Sequence, residues 1–316
     1  MSAFDDLTLL NVLVSIVESG SISAAARRLK IPQPTLSRHL RALEESCGTT
    51  LLHRDTHQMT LTETGRRLLA DARMILSFAA DAEQRIHDEQ TELSGHLRLF
   101  ATIDFGQFAG TRIIAAFMKA NPKITVELGY TNRPLHMIHE GCDAGMVAGK
   151  ITDESLVAKP VGKIGRILVA SPEVVKSRPA AKKPGDLKSW PWVGLSGTQF
   201  GGPKVVTLCH PRFPEQTLRI APHFITEGVT SQREAARSGL GLAALPLWLI
   251  HEDLRSGRLV RVLTAWEAKP LPAYIVYSSQ RILPVRVRAF IDFALVHVGA
   301  ELSLDKTAAK NHRSDK

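Results

Sequence analysis

A chain of 316 residues, 44% hydrophobic and 22% charged, has ordinary globular composition and room for two or three domains. No run of 18 apolar residues is present, and the acidic start Met1-Ser-Ala-Phe-Asp-Asp6 lacks the basic-then-apolar pattern of a secretory signal, so no membrane span is expected and the cytoplasm is the expected compartment. The net charge of +9 is not by itself a nucleic-acid signature: residues 1–95 hold 10 Lys/Arg against 13 Asp/Glu, residues 96–316 hold 30 against 18, and only the stretch 27–67, with 8 against 4, is a local basic patch near the N-terminus.

Leu7, Leu10, Leu13, Ile16 and Val17 recur at helical spacing, and Gly20 ends that first helix. Ser21 or Ser23 can cap a short second helix over 24–29, whose alanines permit close packing. Ile31-Pro32 cannot continue it, because proline lacks an N–H and drives its predecessor towards extended geometry. Pro34 suits the first turn of a third helix, where a missing N–H costs nothing. Leu36, Leu40 and Leu43 form its buried stripe, Thr35, Ser37, Arg38 and Arg41 face outwards, and Gly48 stops it. Three short helices with this corner predict a helix-turn-helix whose last helix enters the major groove of DNA by its first turns. Short polar side chains there permit close approach, and Arg38 can reach guanine or a phosphate.

"LLHRDTHQMTLTETG", from Leu51 to Gly65, predicts a two-stranded wing with Arg54 and His57 at its tip. A helix from 63 to about 90 follows, roughly 42 Å long by the helical rise. Leu68, Ala72, Ile75, Ala79, Ala82 and Ile86 are spaced 4-3-4-3-4 along it, a coiled-coil seam that predicts dimerisation and hence two reading heads on a two-fold operator.

Residues 91–95 read as a hinge. Beyond it strands and helices alternate, with strands expected at 96–102, 124–128, 144–148, 192–195, 218–220 and 273–277. Helices are expected at 108–120, 135–140, 232–238 and 285–297, a second unit begins near Arg166, and the whole predicts a doubly wound α/β domain. Residues 301–316 are small and charged, and read as a disordered tail.

Over residues 4–300 the chain resembles the LysR-type transcriptional regulators. The resemblance is carried by "SGSISAAARRLKIPQPTLSRHLRALEESCGTTLLHRDTHQMTLTETG", then by "GHLRLFATIDFG", "GCDAGMV" and "SGLGLAALP". It implies an α/β protein in four parts: a winged helix-turn-helix over 1–62, a dimerising linker helix and hinge over 63–94, an effector domain over 95–300 similar to type 2 periplasmic binding proteins, and the tail. The effector domain's lobe I would hold 96–167 and 269–300, and lobe II 168–268. It further implies a regulator, not an enzyme, whose partners are double-stranded promoter DNA, a small-molecule effector and copies of itself, as a homodimer or a dimer-of-dimers tetramer, and whose bend on the promoter changes when the effector enters the cleft.

By position the resemblance places DNA contacts on Ser23, Gln33, Pro34, Thr35, Ser37 and Arg38, with wing contacts on Arg54 and His57. The chain departs from the family pattern in carrying Pro32 at a usual hydroxyl cap, His57 at a usual arginine, Leu52 for phenylalanine and Thr64 for alanine. The same resemblance puts effector contacts on Thr102, Phe105, Ala148, Ser196 and Thr226, at the strand ends where open α/β sheets bind ligands. Free N–H groups at the helix start after Asp104, with the basic balance of residues 96–316, point to an anionic effector.

Competing chemistry is thinly represented. "GLSGT" at 194–198 stops short of the G-x-S-x-G nucleophile elbow, because Ser196 lacks the second glycine. His136 and His139, near Glu140 and Cys142, have zinc-compatible spacing but no partner cluster, and three cysteines are too few for a disulfide framework. No metal or cofactor is expected. A free-standing solute-binding protein would account for 96–300 alone, but not for the helices before it.

Overall fold

In the computed structural model, which describes residues 6–54, 59–87, 93–132, 141–279 and 283–311, the chain opens with three helices, Leu7–Ser19 (α1), Ile22–Leu29 (α2) and Gln33–Cys47 (α3). Ser21 is the cap of α2: its Oγ accepts from Ala24 N at 3.1 Å, so the helix starts two residues before the position read from sequence. Lys30 then takes a left-handed backbone (φ 55°), its N–H directed at Ala26 and Arg27 carbonyls, and Pro32 is extended before α3 begins. These two residues make the corner. Leu36, Leu40 and Leu43 are fully buried with Leu10, Leu13, Ile16 and Ala25, which is the apolar stripe expected of α3.

Strands Leu52–Arg54 (β1) and Met59–Leu61 (β2) pair antiparallel, Leu52 opposite Leu61. Glu44 of α3 fixes the wing's root by accepting from the N–H groups of Leu51 (2.9 Å) and Leu52 (3.3 Å). Thr62 caps the next helix, Glu63–His87 (α4), through Gly65 N at 2.9 Å. Only glycine fits at 65, since a Cβ there would stand 2.1 Å from the Leu51 carbonyl oxygen.

Helix α4 has 25 residues and is roughly 38 Å long. Its predicted seam is not one continuous partner surface. Leu68 and Ala72 are buried in the core of the head, and Ile75 packs against the same cluster. An apolar stripe long enough for two tasks is spent first on the nearest hydrophobic surface, α1, which exposes most of its own apolar face without it. Ala79 and Ala82 remain partly exposed, and the Ile86 side chain lies outside those described.

The rest of the chain is a mixed sheet with helices packed on it. Ser94–Ala101 (β3) pairs in parallel with Lys123–Tyr130 (β4) and Ala144–Ala148 (β5). Helical segments Ile103–Phe105 (α5), Gly106–Gly110 (a π-turn) and Thr111–Ala120 (α6) run on from one another, starting five residues before the helix read from sequence. Two long antiparallel strands, Leu156–Ala170 (β6) and Glu267–Ser278 (β10), run from one half of the domain into the other. Their pairing is antiparallel, so the sheet as a whole is mixed.

The hydrophobic core changes hands along those strands. Ile164 and Leu271 pack with residues of β3–β5, α6 and the last helix. Ile167, Leu168 and Ala268 pack with Trp192, Leu195, Leu242 and Leu245. That second half contains Trp192–Leu195 (β7) beside the parallel Pro222–Thr226 (β8), then helix Val229–Arg237 (α7), strand Ala243–Pro246 (β9) and helix Leu247–Arg255 (α8). Asp253 is fully buried inside it, bound by Arg233 and, at 2.9 Å, by Arg258, with Arg237 at 3.4 Å.

The last helix, Val285–Asn311 (α9), continues through most of the segment read as a disordered tail. Leu302 anchors it, buried against Gly162, where a Cβ would come within 2.9 Å of Leu302 Cδ1. The helix expected at 135–140 lies outside the described residues, and with it His136, His139 and Glu140. Among the described residues no single helix is long and apolar enough to cross a membrane, and no cluster of three potential metal ligands exists.

Candidate nucleic-acid interface and effector cleft

The outer edge of the head is built by one helical period. Burying Leu36, Leu40 and Leu43 turns Arg38 and Arg41 to solvent, with Thr35 and Ser37 half-buried beside them. Gln33 and Pro34 are exposed at the N-terminal end of α3, where Pro32 offers no side-chain cap. That end is tied back by Ser23, whose Oγ donates to Gln33 Oε1 at 3.1 Å, so the first turn of α2 and the first turn of α3 present a common face. Arg38 Nη2 donates to Thr35 Oγ1 at 3.2 Å, which holds the guanidinium along the helix. The positive end of a helix dipole and arginines on one surface can receive a phosphate backbone. Arg54 ends β1 on the wing; its side chain and the whole of His57 lie outside what is described.

The predicted cleft residues are split by the structure. Phe105 is 3% exposed and belongs to the core of β3–β5 and α6, so its ring faces away from any ligand; one turn of helix after a buried strand end has to fill that core. The other four are linked through backbone and side chains across the two halves of the domain. Thr102 Oγ1 accepts from Ala148 N at 3.1 Å, and Ser196 N donates to Thr226 O at 2.8 Å. Asn132 joins these pairs: its Oδ1 accepts from Ile103 N at 3.1 Å, while its Nδ2 donates to Glu227 O, one residue beyond Thr226. Gln199 completes the bridge, donating from Nε2 to Asn132 O and accepting at its own carbonyl from Lys150 N.

A carboxylate does sit at a helix start here, but it is the protein's own. Asp104 accepts from Val229 N at 2.8 Å, Thr230 N at 3.1 Å and Thr230 Oγ1 at 3.0 Å. Those are the first residues of α7, whose preceding Gly228 provides no side-chain cap. The Ile103 N–H, at the start of α5, is given to Asn132. Phe108 and Trp248 stack across the same boundary with ring centroids 4.2 Å apart. Sequence reasoning missed Asn132, Gln199 and Trp248 because each matters only through a partner far along the chain.

Residues 7–66 match the family described as "Bacterial regulatory helix-turn-helix protein, lysR family", and residues 90–298 match "LysR substrate binding domain". The transcriptional regulator PtxR of Pseudomonas aeruginosa is 31% identical over 296 residues, 94% of each chain. CrgA of Neisseria meningitidis serogroup B, also a transcriptional regulator, is 27% identical over 308 residues, with 93% of this chain and 97% of that protein covered. Among solved structures, the full-length Vibrio cholerae virulence activator AphB superposes with a TM-score of 0.56 at 29% identity, covering 92% of this chain and 99% of that one.

Proposed function

This chain belongs to the LysR family of transcriptional regulators, and from that premise we propose how its parts divide the work. Residues 1–62 read the operator, 63–94 pair two chains, and 95–300 sense a small molecule, with lobe I at 96–167 and 269–300 and lobe II at 168–268. The protein is a DNA-binding regulator responsive to an effector. In our reading it does no catalysis of its own and works in the cytoplasm.

Helix α3 lies in the major groove with Gln33, Pro34, Thr35 and Ser37 at base edges and Arg38 on a guanine or a phosphate, while Ser23 holds Gln33 in place. Arg54 and His57 reach the adjacent backbone or minor groove, where His57, largely neutral at pH 7, contributes less than an arginine would. Dimerisation uses the outer half of α4, Ala79, Ala82 and Ile86, because the inner half serves the head. The effector sits between the lobes against Thr102, Ala148, Ser196 and Thr226. An anionic effector competes there with Asp104 for the N-terminus of α7, so binding and rearrangement of the lobes are one event.

The observation that carries this reading is the outer face of α3: arginines and short polar groups in the open above three fully buried leucines. Footprinting on the DNA upstream of its own gene tests it. A two-fold protected site is expected, with affinity falling in salt by a log–log slope of about −0.9 per phosphate neutralised. A monomer that protects no site, or binding that ignores salt, removes the reading.

A further inference from the structure

Beyond β7 the chain does not turn straight back into its own lobe. Thr198–Phe200 form one 3-10 turn, entered through Gly197 (φ 108°) and left through Gly201 (φ 96°) and Gly202 (φ 80°), all with a backbone that favours glycine. The turn satisfies itself: Phe200 N donates to Gly197 O at 3.2 Å, Gly201 N to Thr198 O at 3.1 Å and Gly202 N to Gly197 O at 3.1 Å. It nevertheless reaches across to lobe I. Gln199 Nε2 donates to Asn132 O, and the Gln199 carbonyl accepts from Lys150 N at 2.9 Å. Two glycines make room for that glutamine. A Cβ at 149, the residue after Ala148, would stand 2.7 Å from Gln199 O and 3.1 Å from its Cβ. One at 197, the residue after Ser196, would stand 2.9 Å from Gln199 Oε1 and 3.0 Å from Phe200 Cδ2. Phe200 is half-buried and packs against the cores of both lobes. The turn therefore lies beside Ala148, Ser196 and Asn132, in the space between the lobes.

We propose that the turn Thr198–Phe200 is a tethered occupant of the cleft, which holds the effector's place and has to be displaced before an effector binds; this rests on the reading of Thr102, Ala148, Ser196 and Thr226 as the effector site. Two properties suit the turn to leave as a unit. Its internal hydrogen bonds are local and survive departure, and the glycines that flank it carry no side chain to unpack. While the turn is in place an incoming molecule meets a competitor, so the apparent affinity is the intrinsic one multiplied by the fraction of chains with the turn out. Departure uncovers Asn132 O as an acceptor and Lys150 N–H as a donor. The molecule that replaces Gln199 therefore carries an N–H or O–H group beside an oxygen, because a buried acceptor left unpaired costs more than an average hydrogen bond contributes.

Truncating the occupant and supplying its groups as a small molecule tests this. In the full-length double variant Gln199→Gly/Phe200→Ala, benzamide returns the lost amide and ring together; acetophenone is its counterpart with a methyl group in place of the amide nitrogen. Ligand-observed NMR titrations should show benzamide binding the double variant at least about tenfold more tightly than the native protein. Acetophenone should bind that variant about tenfold more weakly than benzamide does, the size of one lost hydrogen bond to a buried acceptor. Bound benzamide should also slow amide hydrogen exchange at Ala148 and Ser196, whose bonds to Thr102 Oγ1 and Thr226 O hold the site together. If the double variant loses the native circular dichroism spectrum, Gln199→Gly alone with acetamide and acetone makes the same comparison. Equal affinity for native and truncated proteins, no binding by the truncated one, or no preference for the amide would overturn the proposal and leave the effector site as read. Benzamide that binds the double variant without slowing exchange at Ala148 and Ser196 would put the vacated space outside the cleft, and overturn the proposal together with the reading beneath it.

Discussion

The head and the effector domain each depend on a capped helix start, and they obtain the cap in opposite ways. In the head, Ser21 caps α2 from three residues before Ala24, and Ser23 reaches Gln33 ten positions on. In the effector domain, Asp104 caps α7 from 125 residues before Val229, across the boundary between two cores. The first arrangement is complete once a short stretch of chain has folded. The second exists only while the lobes touch, so it reports their separation. A reading surface is best fixed, and a sensor must be able to move; the range of the capping contact in sequence matches each need.

The largest effect expected from this contrast lies at Asp253, whose carboxylate is wholly buried among arginines. Burial alone would raise its pKa; the hydrogen bonds from Arg233 and Arg258, with the charges of Arg233 and Arg237, outweigh it and hold the group below the usual carboxylate range. Asp253→Asn should destabilise the effector domain by about 3 kcal/mol, since it weakens the charge-assisted hydrogen bonds from Arg233 and Arg258, each worth about 1.5–3 kcal/mol, and leave the head's operator affinity per folded molecule untouched. With a folded pKa below the unfolded value, the native pair contributes fully above about pH 4 and its contribution disappears as pH falls through the folded pKa. Denaturant titrations at pH 7 and below pH 4 should therefore show the variant and the native protein converging in acid; a constant gap between them would break the assignment.

Next comes Arg38→Ala. It should reduce operator affinity by about 5–150-fold, equivalent to 1–3 kcal/mol, without moving the thermal transition of either domain. Fluorescence anisotropy on the footprinted fragment gives the first quantity and calorimetry the second. Unaltered affinity would take Arg38 out of the interface.

The smallest pair sharpens the comparison itself. Ser21→Ala and Asp104→Ala each remove a helix cap, at a cost of about 1 kcal/mol, but the losses should fall in different places. Ser21→Ala is expected to lower only the stability of the head. Asp104→Ala should speed amide hydrogen exchange at Val229 and Thr230 and let the lobes separate, measured as a larger radius of gyration, with the head unchanged. If both variants act on the same domain, the distinction between local and remote capping fails.

How much could be read in advance follows the same line. The corner at Ile31-Pro32, the buried stripe Leu36, Leu40, Leu43 and the stop at Gly48 were legible because proline chemistry and helical period act within a few residues. The seam on α4 was legible as a pattern but not as an assignment. Period 3.5 marks an apolar face and does not say which neighbour covers it, and Leu68 and Ala72 turned out to serve the head. Phe105 misled for a related reason: a residue at a strand end can point into the core or out of it, and the helix that begins at Ile103 points this one inwards. The first half of β6, interrupted by Pro160 and Gly162, carries no alternation and was invisible until β10 paired with it.

The amino-acid order by itself determined most of the reading head: the bounds of its three helices, the serine cap of α2 and the outward arginines rest on preferences that act within about one or two helical turns. Tertiary structure alone decided how Asn132 links the Thr102–Ala148 and Ser196–Thr226 pairs across the two cores of the effector domain. The reason is physical. Local periodicity encodes which face of an element is apolar, whereas the identity of what packs against that face depends on chain closure over a hundred residues or more, and no short-range preference carries that information.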